Sequence, residues 1–146
     1  FVSMQNHYNL LYREDERELI PVCREWGMAL APYSPLAAGH LCRKQWDSDS
    51  KRSRTDKMAR EKYDSAEVTD LLIIGRVAEL AEKYGVKMSQ LALAWLWEKG
   101  VTAPLIGATK ASHYDDAVKA LDIRLKAEDV KYLEELYTPH KIVGAL

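Results

Sequence analysis

Three short apolar runs set among helical patterns constrain the fold of this chain more than any other feature. Phe1-Val2-Ser3-Met4 reads as strand, Met28-Ala29-Leu30-Ala31 as a second strand, and Pro104-Leu105-Ile106 as a brief buried third. Between the first two, Leu19, Ile20, Cys23 and Trp26 share one helical face, which Gly27 closes. Pro21 is tolerated only in a first turn, so this helix should begin near Glu16 or Arg17. Further on, Ile73, Val77, Leu80, Ala81 and Tyr84 recur at helical spacing up to Gly85, and another helix runs from Met88 to Lys99 before Gly100. Its centre, Leu91 to Trp97, is apolar almost all round, which predicts burial on more than one side. Tyr114, Ala117, Val118 and Leu121 define one more face, and Val130, Leu133 and Tyr137 another. The order is strand, helix, strand, long loop, two helices, strand, two helices, which argues for an α/β fold of parallel strands with helical crossovers. Lys87 and Lys126 stand where a Ser, Thr or Asp cap is expected, and the sequence alone gives no reason for it.

Composition removes several functional classes. The chain has 146 residues, 47% hydrophobic and 29% charged, which suits one domain with a real core. Its 21 Lys and Arg against 22 Asp and Glu leave a net charge of −1, so no whole-chain attraction to nucleic acid or anionic membrane follows. Cys23 and Cys42 are too sparse for a disulfide framework and form no metal-type pair, which favours free thiols in a reducing cytosol. No apolar run approaches the roughly 20 residues of a membrane helix. His7, His40, His113 and His140 show no ligand spacing and are expected at the surface. The glycines at Gly27, Gly39, Gly75, Gly85, Gly100, Gly107 and Gly144 stand singly, so a Gly-x-Gly-x-x-Gly dinucleotide loop is absent. Ala81, Gly85 and Leu91 match a helix-turn-helix spacing. However, the would-be recognition helix carries two Trp and three Leu where groove contact needs polar side chains.

Two strand ends have the right chemistry for an anionic cofactor. Tyr33-Ser34-Pro35-Leu36-Ala37-Ala38-Gly39 offers a ring for stacking, a hydroxyl, and a backbone bare enough to approach phosphate. Gly107-Ala108-Thr109-Lys110 precedes a helix whose free N–H groups suit phosphate, and Lys110 adds charge. Between them, residues 40–62 carry Arg43, Lys44, Lys51, Arg52, Arg54, Lys57 and Arg60 with almost no apolar periodicity. They read as a long, basic, mobile loop able to cover a ligand, with room for helical turns.

The sequence of motifs Gln5-Asn6-His7-Tyr8-Asn9, Tyr33 to Gly39, Pro104-Leu105-Ile106-Gly107-Ala108-Thr109, and the tail Pro139-His140 with Val143-Gly144, closely resembles the C-terminal part of an aldo-keto reductase. The resemblance spans essentially the whole chain, and is to the longer bacterial and fungal members, which are also similar to potassium-channel beta subunits. It implies the last strand and helix units of a (β/α)8 TIM barrel, the sixth to eighth, plus a terminal helix. A complete barrel takes about 250 residues, so an incomplete barrel is expected. The family binds NADP(H) and reduces aldehydes and ketones, so a small carbonyl substrate is implied.

By position, the resemblance implies that Gln5 bonds the nicotinamide carboxamide and Tyr33 stacks on the nicotinamide ring. Ser34, Leu36, Ala37 and Gly39 would line the pyrophosphate. Lys44 and one of Arg52 or Arg54 would reach phosphates, since a guanidinium fork suits a 2′-phosphate. Gly107 and Thr109 would contact the adenosine phosphate, with His113 and Asp116 near the adenine. At the last positions the family often has Gln, Glu and Asn, where this chain has His113, Asp116 and Ala117. The Asp, Tyr, Lys and His catalytic tetrad belongs to the first half of the barrel and has no counterpart here. The chain alone is therefore expected to be inactive. The alternative is a non-catalytic NADP(H)-binding or regulatory module, or a barrel remnant that assembles through exposed edges. Trp46 and Tyr137 are candidates for the substrate pocket.

Overall fold

A computed structural model describes residues 1–46 and 56–142. It is a helix-rich α/β unit built on a parallel pair of short strands, β1 (Ser3–Met4) and β2 (Ala29–Leu30), with Ser3 opposite Ala29 and Met4 opposite Leu30. A parallel bridge between His7 and Tyr33 continues the pairing towards the strand ends. The expected third strand runs beside β2 without regular pairing. The amides of Thr102 and Ala103 both donate to the Leu30 carbonyl, at 3.0 and 3.1 Å, and Leu105 N donates to Pro32 O at 2.8 Å. Pro104 has no N–H to give, so the ladder is interrupted where a strand would need it.

Helix α1 (Leu19–Glu25) links β1 to β2 and begins later than Glu16 because residues Glu14–Glu16 form a separate 3-10 turn. After β2 come a kinked 3-10 segment (Ala37–Cys42), α2 (Lys57–Tyr63), α3 (Glu67–Tyr84), α4 (Met88–Glu98), α5 (Ala111–Lys119) and α6 (Ala127–Glu134). The span read as one basic loop therefore ends in a helix. Its last residues, Lys62 and Tyr63, are buried in the core. Asp56 caps α2 by accepting from Ala59 N at 3.0 Å.

The core lies between the strand pair and the α3–α4 hairpin. Every residue from Leu91 to Leu96 is buried, as the apolar girdle of α4 requires, against Ile73, Ile74 and Val77 of α3. Gly85 ends α3 at φ +66, and Val86 N then reaches back to Ala81 O at 2.9 Å. The two uncapped lysines have substitutes. Gln90 Oε1 accepts from Lys87 N at 3.0 Å, and Tyr84 Oη accepts from Lys126 N at 3.1 Å.

Two helical faces read as buried are not. On α1 only Ile20 and Cys23 are enclosed, while Leu19 and Trp26 are exposed together with Val22. On α5, Tyr114, Val118 and Leu121 are exposed and the chain turns Ala117 and Ala120 inward instead. Periodicity identified the helices but not which apolar stripe meets a neighbour; α1 packs on β2, and α5 packs on α4. Among the described residues no helix is long and apolar enough to cross a membrane.

Candidate functional site

The loop after β2 is held in a shape that side-chain-bearing residues seldom adopt. Ser34, Ala37 and Ala38 all have positive φ, at 53, 48 and 54°, and Gly39 follows at 99°. Three interactions fix this course. Tyr33 N donates to Asn6 O at 2.8 Å, Ala37 N to Ser34 O at 3.0 Å, and Gly39 N to Leu36 O at 2.8 Å. Asn9 adds a side-chain tie, its Nδ2 donating to Ser34 O at 2.9 Å and to Tyr63 Oη at 3.0 Å. Arg43 closes the far end, with Nη1 on Gly39 O at 2.7 Å and Nη2 on Trp46 O at 2.8 Å.

This loop forms one wall of a cavity of about 700 Å³, whose other walls are the start of α4 and the segment from Leu105 into α5. That volume is within the range of small-molecule and cofactor sites. The cavity brings together Ser34, Leu36 and Gly39 with Gly107, Thr109, His113 and Asp116, residues drawn from the two strand ends singled out above. Ala37 is different: the whole residue is buried in the core, and it is not on the cavity wall. Tyr33 is half-buried, and Gln5 and Lys44 are exposed; none of the three is on the cavity wall. Arg52 and Arg54 lie outside the described residues, as do Val143 and Gly144.

The wall is cationic. Among the described residues, Arg43, Lys87 and Lys110 line it against a single carboxylate, Asp116, which Lys87 Nζ holds at 2.6 Å. Gln90 Nε2 also donates to the Asp116 carbonyl, at 3.1 Å, and so joins α4 to α5. Ser34, Thr109 and Ser112 supply hydroxyls, and α5 presents its N-terminal end. Sequence reasoning missed Arg43 and Lys87. Arg43 was hidden beside Lys44 in the basic run, and Lys87 was visible only as an odd cap. This donor set of cations, hydroxyls and backbone amides fits a phosphorylated nucleotide.

A second cluster lies beside the loop, and it corrects the surface reading of the histidines. His7, His40 and His140 are buried; only His113 is exposed. His7 Nε2 and Tyr63 Oη are 2.7 Å apart, and the His7 ring stacks on Tyr12 and Tyr33 with centroids at 4.1 and 5.1 Å. Burial, together with the nearby Lys62 and His140 charges, pushes the His7 imidazole down to a pKa of about 3. His140 Nε2 meets Asp70 Oδ1 at 2.9 Å, with both side chains enclosed. Burial raises the Asp70 carboxyl, against the opposing pull of His140. Trp46 is buried under His40, ring centroids 4.0 Å apart, and Tyr137 donates its hydroxyl to Glu14 Oε1 at 2.6 Å; neither is on the wall of this cavity.

A family model described as "Aldo/keto reductase family" matches residues 1–138. The chain belongs to the aldo-keto reductase family. It is 46% identical over its full length to a Schizosaccharomyces pombe protein named as an aryl-alcohol dehydrogenase, of which it covers 41%. It is 40% identical over 97% of its length to the versiconal hemiacetal acetate reductase of Aspergillus parasiticus, covering 42% of that protein. Among solved structures, a thermostable aldo-keto reductase in complex with the inhibitor epalrestat superposes with a TM-score of 0.65 at 26% identity, over 90% of this chain and 38% of that one. This aldo-keto reductase chain thus spans about two fifths of the length of the curated relatives it matches. The likeness to the solved structure supports the TIM-barrel family of folds.

Proposed function

We propose that this chain is the C-terminal part of an aldo-keto reductase barrel, about three strand and helix units, and that it holds NADP(H) in a reductase of aldehydes or ketones. The observation that carries the reading is the cationic cavity, which gathers seven of the residues implied for the cofactor from two separate strand ends. Ser34, Leu36 and Gly39 would follow the pyrophosphate, with Ala37 buried beneath them to hold the loop's course. Gly107, Thr109, His113 and Asp116 would take the adenosine end, with Arg43, Lys87 and Lys110 neutralising phosphate charge. Gln5 and Tyr33 would meet the nicotinamide, and Lys44 with Arg52 or Arg54 would complete the phosphate contacts. When bound, the cofactor supplies a hydride to the substrate carbonyl. This chain's residues bind and orient it, and the proton donor comes from elsewhere in the barrel, so the 146-residue chain alone has no reductase activity.

Fluorescence titration with NADPH tests this directly. Saturable binding that weakens at least several-fold on Arg43→Ala or Lys110→Ala supports the site. Binding indifferent to both substitutions would sink it, and turnover of a reactive aldehyde by the chain alone would overturn the inactivity.

The exposed apolar stripes favour a further feature of the same reading, assembly with a partner chain; the cytoplasmic setting of that reading rests on the sparse cysteines Cys23 and Cys42. Leu19, Val22 and Trp26 on one side, and Tyr114, Val118 and Leu121 on the other, are apolar faces of the kind that mark interaction surfaces. Light scattering should show self-association that Trp26→Glu with Val118→Glu abolishes; a monomer at all concentrations removes this feature.

A further inference from the structure

Lys62 is a buried cation that no carboxylate among the described residues pairs with. It is 7% exposed, at the end of α2. Its Nζ lies 3.3 Å from Tyr33 Oη and 4.9 Å from the centroid of the Tyr33 ring. An enclosed ammonium normally needs a compensating charge. Here the hydroxyl and ring of Tyr33 are what it meets, and the adjacent His7 is held neutral by burial and by Lys62 itself. The cation is therefore aimed at Tyr33 and its surroundings without being cancelled there.

The consequence depends on reading Tyr33 as the platform for the nicotinamide. The oxidised ring is a pyridinium carrying one positive charge, whereas the reduced dihydropyridine ring is neutral. A ring stacked on Tyr33 would share that platform with the ammonium, and like charges in a partly enclosed site repel appreciably. We propose that Lys62 sets the redox preference of the dinucleotide site, opposing the oxidised cofactor and favouring the reduced one. The residue then determines specificity between two ligands that differ by a hydride and a charge while sharing every phosphate contact.

The test compares dissociation constants of the full 146-residue chain for NADPH, NADP⁺ and 2′-phospho-ADP-ribose, which lacks nicotinamide. The wild type should bind NADPH roughly tenfold more tightly than NADP⁺. Lys62→Met and Lys62→Gln should narrow that ratio towards unity, and Lys62→Arg, which keeps the charge, should preserve it. Affinity for 2′-phospho-ADP-ribose should change less than about twofold in all three variants. Equal wild-type affinity for the two redox forms, or a ratio unmoved in a folded neutral variant, overturns the role of Lys62 and leaves the cofactor site standing. Parallel loss of all three nucleotides also overturns it, by showing a purely structural lysine. If the wild type binds none of the three, the cofactor reading fails and the role of Lys62 falls with it.

Discussion

Asn9 Nδ2 holds the carbonyl of Ser34 at 2.9 Å, across a sequence separation of 25 residues. The same amide reaches Tyr63 Oη, and the Asn9 Oδ1 accepts from Leu11 N and Tyr12 N at 2.9 and 3.0 Å. One buried side chain thus fastens the strand end after β1, the loop after β2 and the end of α2. Asn9→Ala should cost about 2–3 kcal/mol in urea unfolding, since it orphans several enclosed polar groups at once. It should also weaken NADPH binding by at least tenfold; unchanged affinity in a folded variant would show that the loop keeps its shape without Asn9.

Gly39 is the position in that loop where a side chain is least welcome. At φ +99 it lies beyond the left-handed region that Ala37 and Ala38 occupy, and an added Cβ would stand 3.1 Å from Arg43 Nη1. Gly39→Ala should destabilise the chain by about 1–2 kcal/mol and loosen the Arg43 clamp. Thermal unfolding together with cofactor titration measures both effects, and an unaltered melting temperature would contradict the strain.

Glu14 ties the tail to the segment after β1. Burial raises its pKa, but hydrogen bonds from Tyr137 Oη at 2.6 Å and His140 N at 2.9 Å, helped by Arg17, outweigh that and leave the carboxyl below its ordinary value of 4.5. A carboxyl depressed on folding contributes stability that is present above the unfolded value and lost as pH falls through the folded one. Glu14→Gln should therefore cost about 1–2 kcal/mol at pH 7, with the gap from wild type closing in strong acid. Denaturant titrations at a series of pH values would show a constant gap if the charge were irrelevant.

His7 should titrate far from an ordinary histidine. Held down to about 3 from 6.5, it stays neutral in the folded chain at pH 5 while the unfolded chain takes up a proton. Its contribution to stability is full above 6.5 and is lost as pH falls towards 3. Imidazole NMR resonances that remain in the neutral form at pH 5 would confirm this; a midpoint near 6.5 would contradict the enclosure of the ring.

What the sequence disclosed, and what it withheld, follows from the range of the interactions. Helices α3 and α4 were legible because apolar periodicity and a closing glycine are local signals, and Gly85 behaves as such signals require. The parallel order of the first two strands was legible from alternation alone. Tyr63 was not, because a single apolar ring at the end of eight basic residues leaves no period to detect. The buried histidines were misread for the same reason: the partners of His7 and His140 are Tyr63 and Asp70, 56 and 70 residues away. Of the cavity, the two glycine-bearing strand ends were visible and the cations Arg43 and Lys87 were not, since only the folded chain decides which lysine or arginine of a basic run faces inward.

The left-handed course of Ser34, Ala37 and Ala38 has a thermodynamic corollary for any ligand that enters. These torsions are set while the chain folds, so the curvature of the wall exists before an anion arrives and little ordering is left for the encounter. Calorimetry of nucleotide binding should accordingly show a small conformational-entropy loss, and relaxing those three positions with glycine should raise that loss even where the folded chain becomes more stable.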